Sequence, residues 1–171
     1  MPAQRKTIYL VEGEDEKKIV QMLISDFRFV RPGKVYVMNI LQRKVTKARA
    51  ATWGENVSVI LIFDTDVMRT NIFDQNLAML KKLSNVRETI FIPQVLNLED
   101  ELLRASKIKH IREITKSRTD GEWKGDLIRR TNLQKRFLEI GFDIDKFWNT
   151  SPRGMYQDIS NQSNKIRILS K

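Results

Sequence analysis

No cysteine occurs in the 171 residues, and histidine occurs once, as His110. Without cysteine there are no disulfides, no thiolate zinc sites and no cysteine nucleophile. One histidine rules out histidine-rich metal sites. It leaves a serine–histidine–aspartate triad only with His110 as base, and His110 reads more simply as a surface or packing residue. Any metal must therefore be held by oxygen, which points to Mg2+, Mn2+ or Ca2+. No apolar run approaches the roughly 20 residues of a membrane span. The opening "MPAQRK" holds no signal-peptide core before the first strand pattern. A cytoplasmic protein with no membrane partner is expected. With only seven glycines and four prolines, there is no low-complexity tract, and no internal repeat is visible.

What the chain has is positive charge, a formal +10. Residues 1–100 carry 15 Lys/Arg against 12 Asp/Glu, and residues 101–171 carry 16 against 9. The basic excess lies mainly in the C-terminal part. A polyanionic partner, DNA or RNA, is the expectation from this balance.

Apolar periodicity predicts the elements. "TIYLV" (7–11) and "VSVILIF" (57–63) read as buried strands, the second almost wholly apolar, as central parallel strands are. "KVYVMNI" (34–40) and "ETIFI" (88–92, ended by Pro93) are two more. Helical spacing covers 14–27, 72–83, a stretch from 98 and 125–142, with a short helix near 143–149. Residues 41–56 are a basic loop or short helix. The polar stretch 157–171 is expected to be partly disordered. Alternating strands and helices imply an α/β fold with a Rossmann-like, mostly parallel four-stranded sheet flanked by helices. Residues 1–110 would form this α/β unit. Residues 111–171 would form a helical basic extension packed on it.

Ligands of such sheets bind beyond the carboxyl ends of the strands. Glu12 ends the first strand, followed by Gly13, which is expected to let the chain turn sharply into the helix. Asp64 and Asp66, in "LIFDTDV", end the buried strand. If these strands are neighbours, three carboxylates converge, and carboxylates that close repel unless a cation or proton lies between them. Oxygen ligands at that spacing suit one or two Mg2+ or Mn2+ ions. Glu16, one turn into the helix, is a further candidate. Glu14 and Asp15 read as first-turn acids that complement the helix dipole. The plainer reading of "DTD" is a strand-exit turn, with Asp64 or Thr65 capping the segment after it.

Together, "YLVEGEDEKKI" and "VILIFDTDV" resemble the topoisomerase–primase (TOPRIM) domain over roughly residues 5–110. The resemblance implies a compact α/β fold with a central parallel sheet and Mg2+-dependent phosphodiester chemistry. Glu12 takes the family's glutamate position, Asp64 and Asp66 its Asp-x-Asp, and Glu16 the acid that follows four residues after the glutamate. Topoisomerases need a tyrosine nucleophile on other domains, and bacterial primases need a zinc module and a longer core; this chain has neither the length nor the cysteines. The glycine that small stand-alone nucleases often carry after Asp-x-Asp is missing from "DTDVMRT". The chain is nearer the toprim of overcoming-lysogenization-defect (OLD) nucleases and small phage-defence relatives. That branch implies another acid after the last strand, here Glu99, Asp100 or Glu101, with Glu99 or Asp100 favoured by nearness to the strand end. It also implies a downstream lysine near the scissile phosphate, Lys116 or Lys124. The ATPase domain that usually accompanies OLD nucleases is absent from these residues, so any regulation it provides is expected to come in trans, from a partner protein, or not to exist.

In the C-terminal part, "SRTDGEWKGDLIRRTNLQKRF" gathers Arg118, Lys124, Arg129 and Arg130 near Trp123, a pattern that suits phosphate contact and base stacking. Trp53, beside a basic loop, is the better stacking candidate, with Trp123 and Trp148 read as packing anchors. The expected function is a metal-dependent nuclease or related phosphodiester-transfer enzyme. The alternatives are a non-catalytic nucleic-acid-binding or regulatory protein and, less well supported, a phosphatase of the haloacid-dehalogenase type with Asp64 as nucleophile.

Overall fold

The run Val57–Asp64 forms β3, whose first seven residues are buried. A strand that apolar on both faces must be covered twice, and the computed structural model, which describes residues 5–168, covers it on both sides. Around β3 lie β1 (Lys6–Val11), β2 (Lys34–Val37) and β4 (Val86–Gln94), all parallel, in the order β2-β1-β3-β4. The helices are α1 (Glu14–Ser25), α2 (Lys47–Ala51), α3 (Asn71–Lys82), α4 (Leu98–Arg104), α5 (Trp123–Arg129) and α6 (Leu133–Glu139). This is a Rossmann-like α/β fold.

Strand alternation divides the core into two layers. Tyr9, Val11, Ile60, Ile62, Ile90 and Ile92 face one cluster, which α1, α4, α5 and α6 complete. Ile8, Leu10, Val59, Leu61 and Phe63 face the other, completed by Phe73, Leu80 and Tyr156. Each fully buried aliphatic side chain contributes about 1.5–3 kcal/mol over leaving it in water. The first cluster runs from Tyr9 to Ile166, so the basic extension shares its core with the sheet.

Several boundaries differ from expectation. β2 stops at Val37, because Asn39 Oδ1 accepts the Leu41 backbone N–H and closes a turn. β4 runs through Pro93 to Gln94. It is an edge strand, and Phe91, two residues earlier, exchanges its outward backbone bonds with Gln162. Pro93 faces the same outer side, where a missing N–H breaks no ladder bond. The expected helix 125–142 is two helices, separated at Asn132 with φ 53°. Residues 143–149 form turns, with Trp148 at φ 54°. The tail is ordered through Ile168: Ile159, Ser163 and Ile166 are buried, and Val30 and Arg167 form a bridge. The remainder of the expected disordered tail, residues 169–171, lies outside the described residues. Among the described residues no helix is long and apolar enough to cross a membrane.

From β1 the chain moves outward to β2, then returns to the other side of β1 to form β3. The order therefore reverses between β1 and β3, and that switch point opens a crevice at their carboxyl ends. Glu12 and Asp64 stand on its two sides.

Candidate active site

Glu12 follows β1 directly. Its Oε1 accepts the backbone N–H of Asp64 at 3.3 Å, tying the two strand ends together. Gly13 then caps α1 in an extended conformation, φ −140° and ψ 178°, which any residue can adopt. The expectation that glycine provides a sharp turn is corrected: glycine is needed for space. A Cβ there would lie 2.6 Å from Asp15 Oδ1 and 2.9 Å from Glu16 Oε2. Both carboxylates fold back over this bare backbone and are buried. Asp15 is thus more than a first-turn acid; only Glu14 keeps the role of an exposed helix-start residue, paired with Lys17.

The Asp-Thr-Asp segment is stapled to the end of β4. Thr65 N–H and Asp66 N–H both donate to Leu96 O, at 2.8 and 3.1 Å. Thr65 Oγ1 donates to Gln94 O and accepts Leu96 N–H. Asp64 Oδ1 accepts from Gln94 Nε2 at 2.7 Å, and Gln94 Oε1 in turn accepts from Trp148 Nε1. Asn97 caps α4 and also donates to Asp66 Oδ2. Neither Asp64 nor Thr65 caps a helix; Thr70 caps α3.

Lys124 reaches this acidic end from the start of α5. Its ammonium lies 2.9 Å from Glu99 Oε1 and 3.1 Å from Asp15 Oδ2. Asp15 Oδ2 is thus compensated by the ammonium, whereas Glu16 Oε2 has no N–H or basic partner. Tyr156 completes the surroundings. It packs against Phe63 and Phe73, and its hydroxyl donates to Val67 O just beyond Asp66.

The carboxyl groups resist ionisation together. Burial, with a contribution from Asp66 and Asp15, lifts Glu12 to about 7 despite the Asp64 N–H. Burial and the Glu12 charge lift Asp64 to about 8. Burial and adjacent Asp15 lift Glu16 to about 9. Asp15 moves the other way. Its burial opposes charge, but Glu16 as donor and the Lys124 ammonium outweigh that and hold it low. Lys124, desolvated yet paired with Glu99 and Asp15, is held firmly protonated. Tyr156 is raised to about 12 by burial and by the Glu12 charge.

The structure brings together Glu12, Asp64, Glu16, Glu99 and Lys124, with Asp66 exposed at the rim. Asp100 contributes its backbone N–H to the Asn97 cap. Glu101 is fully buried and bonded to Val95 N–H, Trp148 N–H and Arg104, a structural role. Lys116 is exposed, at φ 60°, near Glu139. Trp53 is buried in the second core layer, so it offers no stacking face. Trp123 and Trp148 are buried as well. Arg118 and Arg129 are exposed but pair locally with Glu122 and Asp126. Arg130 donates to Thr115 O. His110 is exposed and its backbone N–H donates to Glu113.

Sequence reasoning did not find Gln94, Asn97 or Tyr156, and it read Asp15 only as the first-turn acid that it is, without its contact to Lys124. The Asn-Leu-Glu order of "LNLEDE" carried an N-cap signal for Asn97; no local signal marked Gln94 or Tyr156.

Among the described residues no three His, Cys, Asp or Glu side chains are drawn together tightly enough to hold an ion as they stand. Asn97 holds Asp66 at the rim, and Lys124 engages two of the acids. The donor set nonetheless fits a divalent ion. It is all oxygen, it carries excess negative charge, and Glu16 Oε2 is buried without an N–H or basic partner beside the bare Gly13. No family model, curated protein or solved structure matches the chain.

Proposed function

We propose that the chain is a metal-dependent nuclease, cutting phosphodiester bonds of nucleic acid at the β1/β3 switch point. One observation carries this reading. Glu12 and Asp64 are half-buried and Glu16 is buried at one strand-end crevice, ionisation is disfavoured for all three, and Glu16 Oε2 has no N–H or basic partner. Burying such a group without compensation costs about 1–3 kcal/mol or more, a cost that a bound cation removes. The TOPRIM-like spacing of Glu12, Asp64 and Asp66 supports the same reading, as does the net positive charge.

Glu12, Glu16 and Asp64 would hold Mg2+ or Mn2+, with Asp66 at the rim. Such an ion would supply a more acidic bound water and polarise a phosphate oxygen. The side chains divide the remaining work. Gln94 fixes Asp64 through Oδ1 and leaves Oδ2 for the site. The Asp64 N–H fixes Glu12 through Oε1 and leaves Oε2. Asp15 and Glu99 orient the Lys124 ammonium, whose third N–H can reach a non-bridging phosphate oxygen and offset charge that builds there. Tyr156 and Asn97 hold the segment that carries Asp66.

Incubating the protein with a mixed panel of DNA and RNA, with Mg2+ or Mn2+, tests this reading. We expect cleavage that EDTA abolishes and that Asp64→Asn lowers by about 1000-fold, roughly 4 kcal/mol of barrier. Failure to cleave any member of the panel, or equal cleavage by Asp64→Asn, contradicts it. Salt-sensitive binding without turnover, unchanged by chelator, would favour a binding protein instead.

A further inference from the structure

A cavity of about 720 Å3 lies away from the carboxylates, between α1, the free side of β2 and the link from α5 to α6. No acidic residue lines it, whereas Lys18, Lys34 and Arg130 do. Among the described residues none of these three pairs with a carboxylate, although Arg118 and Arg129 do so within their own segment. Three uncompensated cations around one concavity create a field that attracts a polyanion.

The wall of the cavity adds donors. Tyr36 and Met38 turn their backbone groups toward β1, as the Met38 N–H bond to Val11 O requires. Val35 and Val37 therefore point theirs away from the sheet, along an edge that no other strand covers. Val35 and Met22 provide apolar surface in the same cleft.

Two helices, α1 and α5, run between the acidic end and the cleft. Lys18 follows Asp15 by three residues on α1 and shares its face. Arg130 follows Lys124 by six residues, about 9 Å along a helix. A chain seated in the cleft would lead toward Lys124.

We infer that this cleft seats a single strand of nucleic acid and feeds it to the carboxylate site, an inference that rests on the proposed nuclease reading. Phosphates would meet Lys18, Lys34, Arg130 and the open Val35 N–H. A positively charged groove that tracks the backbone is the sequence-tolerant part of single-strand binding. An open strand edge also accepts peptides, but the surplus of unpaired cations favours a polyanion over an ordinary peptide.

Anisotropy of a short fluorescein-labelled single strand, in EDTA and across a salt series, tests this without any cleavage. The double variant Lys18→Gln, Lys34→Gln should bind about tenfold more weakly, with its log–log salt slope shallower by about 1.4, or 0.7 per lost phosphate contact. A control with the same charge change on α3, Lys81→Gln with Lys82→Gln, should keep the parent slope. Thermal melts confirm that both variants fold. Parent-like affinity and slope in the cleft variant overturn the inference, as does equal affinity for oligoglutamate. The two readings fail separately: metal-dependent cleavage with an unchanged slope removes the cleft alone, and cleft-dependent binding by a protein that cleaves nothing removes the nuclease alone.

Discussion

Two regions of this molecule each bury a carboxylate, and they treat it in opposite ways. Around Glu101, 0% exposed, every oxygen is used: Oε1 takes Val95 N–H and Arg104, and Oε2 takes Trp148 N–H. Around Glu16, 4% exposed, Oε2 has no N–H or basic partner, and the adjacent acid Asp15 can bond to Glu16 only through a proton. The first pocket is complete without help. The second is stable only with a proton or a cation, and a proton is what a metal displaces. Burial alone therefore does not mark a functional acid; the unmatched oxygen does.

The sharpest way to break this contrast is to remove each charge in turn. Glu101→Ala strands two backbone N–H groups and Arg104, and should cost about 2–4 kcal/mol in urea unfolding. Glu16→Gln should instead raise metal-free stability at pH 8, by about 1 kcal/mol or more, since the fold keeps Glu16 protonated above its ordinary range and glutamine needs no proton. Equal losses in both would erase the distinction.

Acidity gives the next effect. Glu12, Asp64 and Glu16 ionise near 7, 8 and 9 in the fold, against ordinary values of 3.8–4.5. Between those limits the folded chain holds more protons than the unfolded one, so stability falls as pH rises. Each excess proton contributes about 1.4 kcal/mol per pH unit. The depressed value of Asp15 acts with the opposite sign, but only below the ordinary carboxylate range. Melting temperature without metal should therefore decline from pH 5 toward pH 9, and added Mg2+ should restore more of it at the alkaline end. A flat profile would indicate that these groups are compensated.

The smallest effect belongs to Gly13→Ala. Backbone strain is absent at φ −140°, so stability should change by only about 1 kcal/mol. The new Cβ displaces Asp15 Oδ1 and Glu16 Oε2, and we expect Mn2+ affinity to drop about tenfold. Unchanged affinity would separate this cradle from metal binding.

Much of the fold was legible because β3 is apolar on both faces and the other strands alternate with helices. Glu12 and Asp64 were legible for the same reason, since only the pairing of β1 with β3 had to be inferred. Other features depended on distant partners. Asp15 looks like a helix-start acid until Lys124, far along the chain, meets it. Pro93 hid Gln94 by looking like a strand terminator, because no local pattern says which strand lies at an edge. Trp53 beside glycine and basic residues gave no sign of its burial. The basic run at 116–130 was partly readable: Arg118 with Glu122 and Asp126 with Arg129 stand at helical pairing distance, which signals charges used locally rather than offered to a ligand.

Calorimetric titration of Mn2+ near pH 7.5, repeated in two buffers of different ionisation enthalpy, tests the central claim most directly. A metal site at Glu12, Glu16 and Asp64 predicts saturable binding with release of protons from that group, and loss of the binding in Asp64→Asn. Absence of binding, or binding that releases no proton and survives Asp64→Asn, would contradict it.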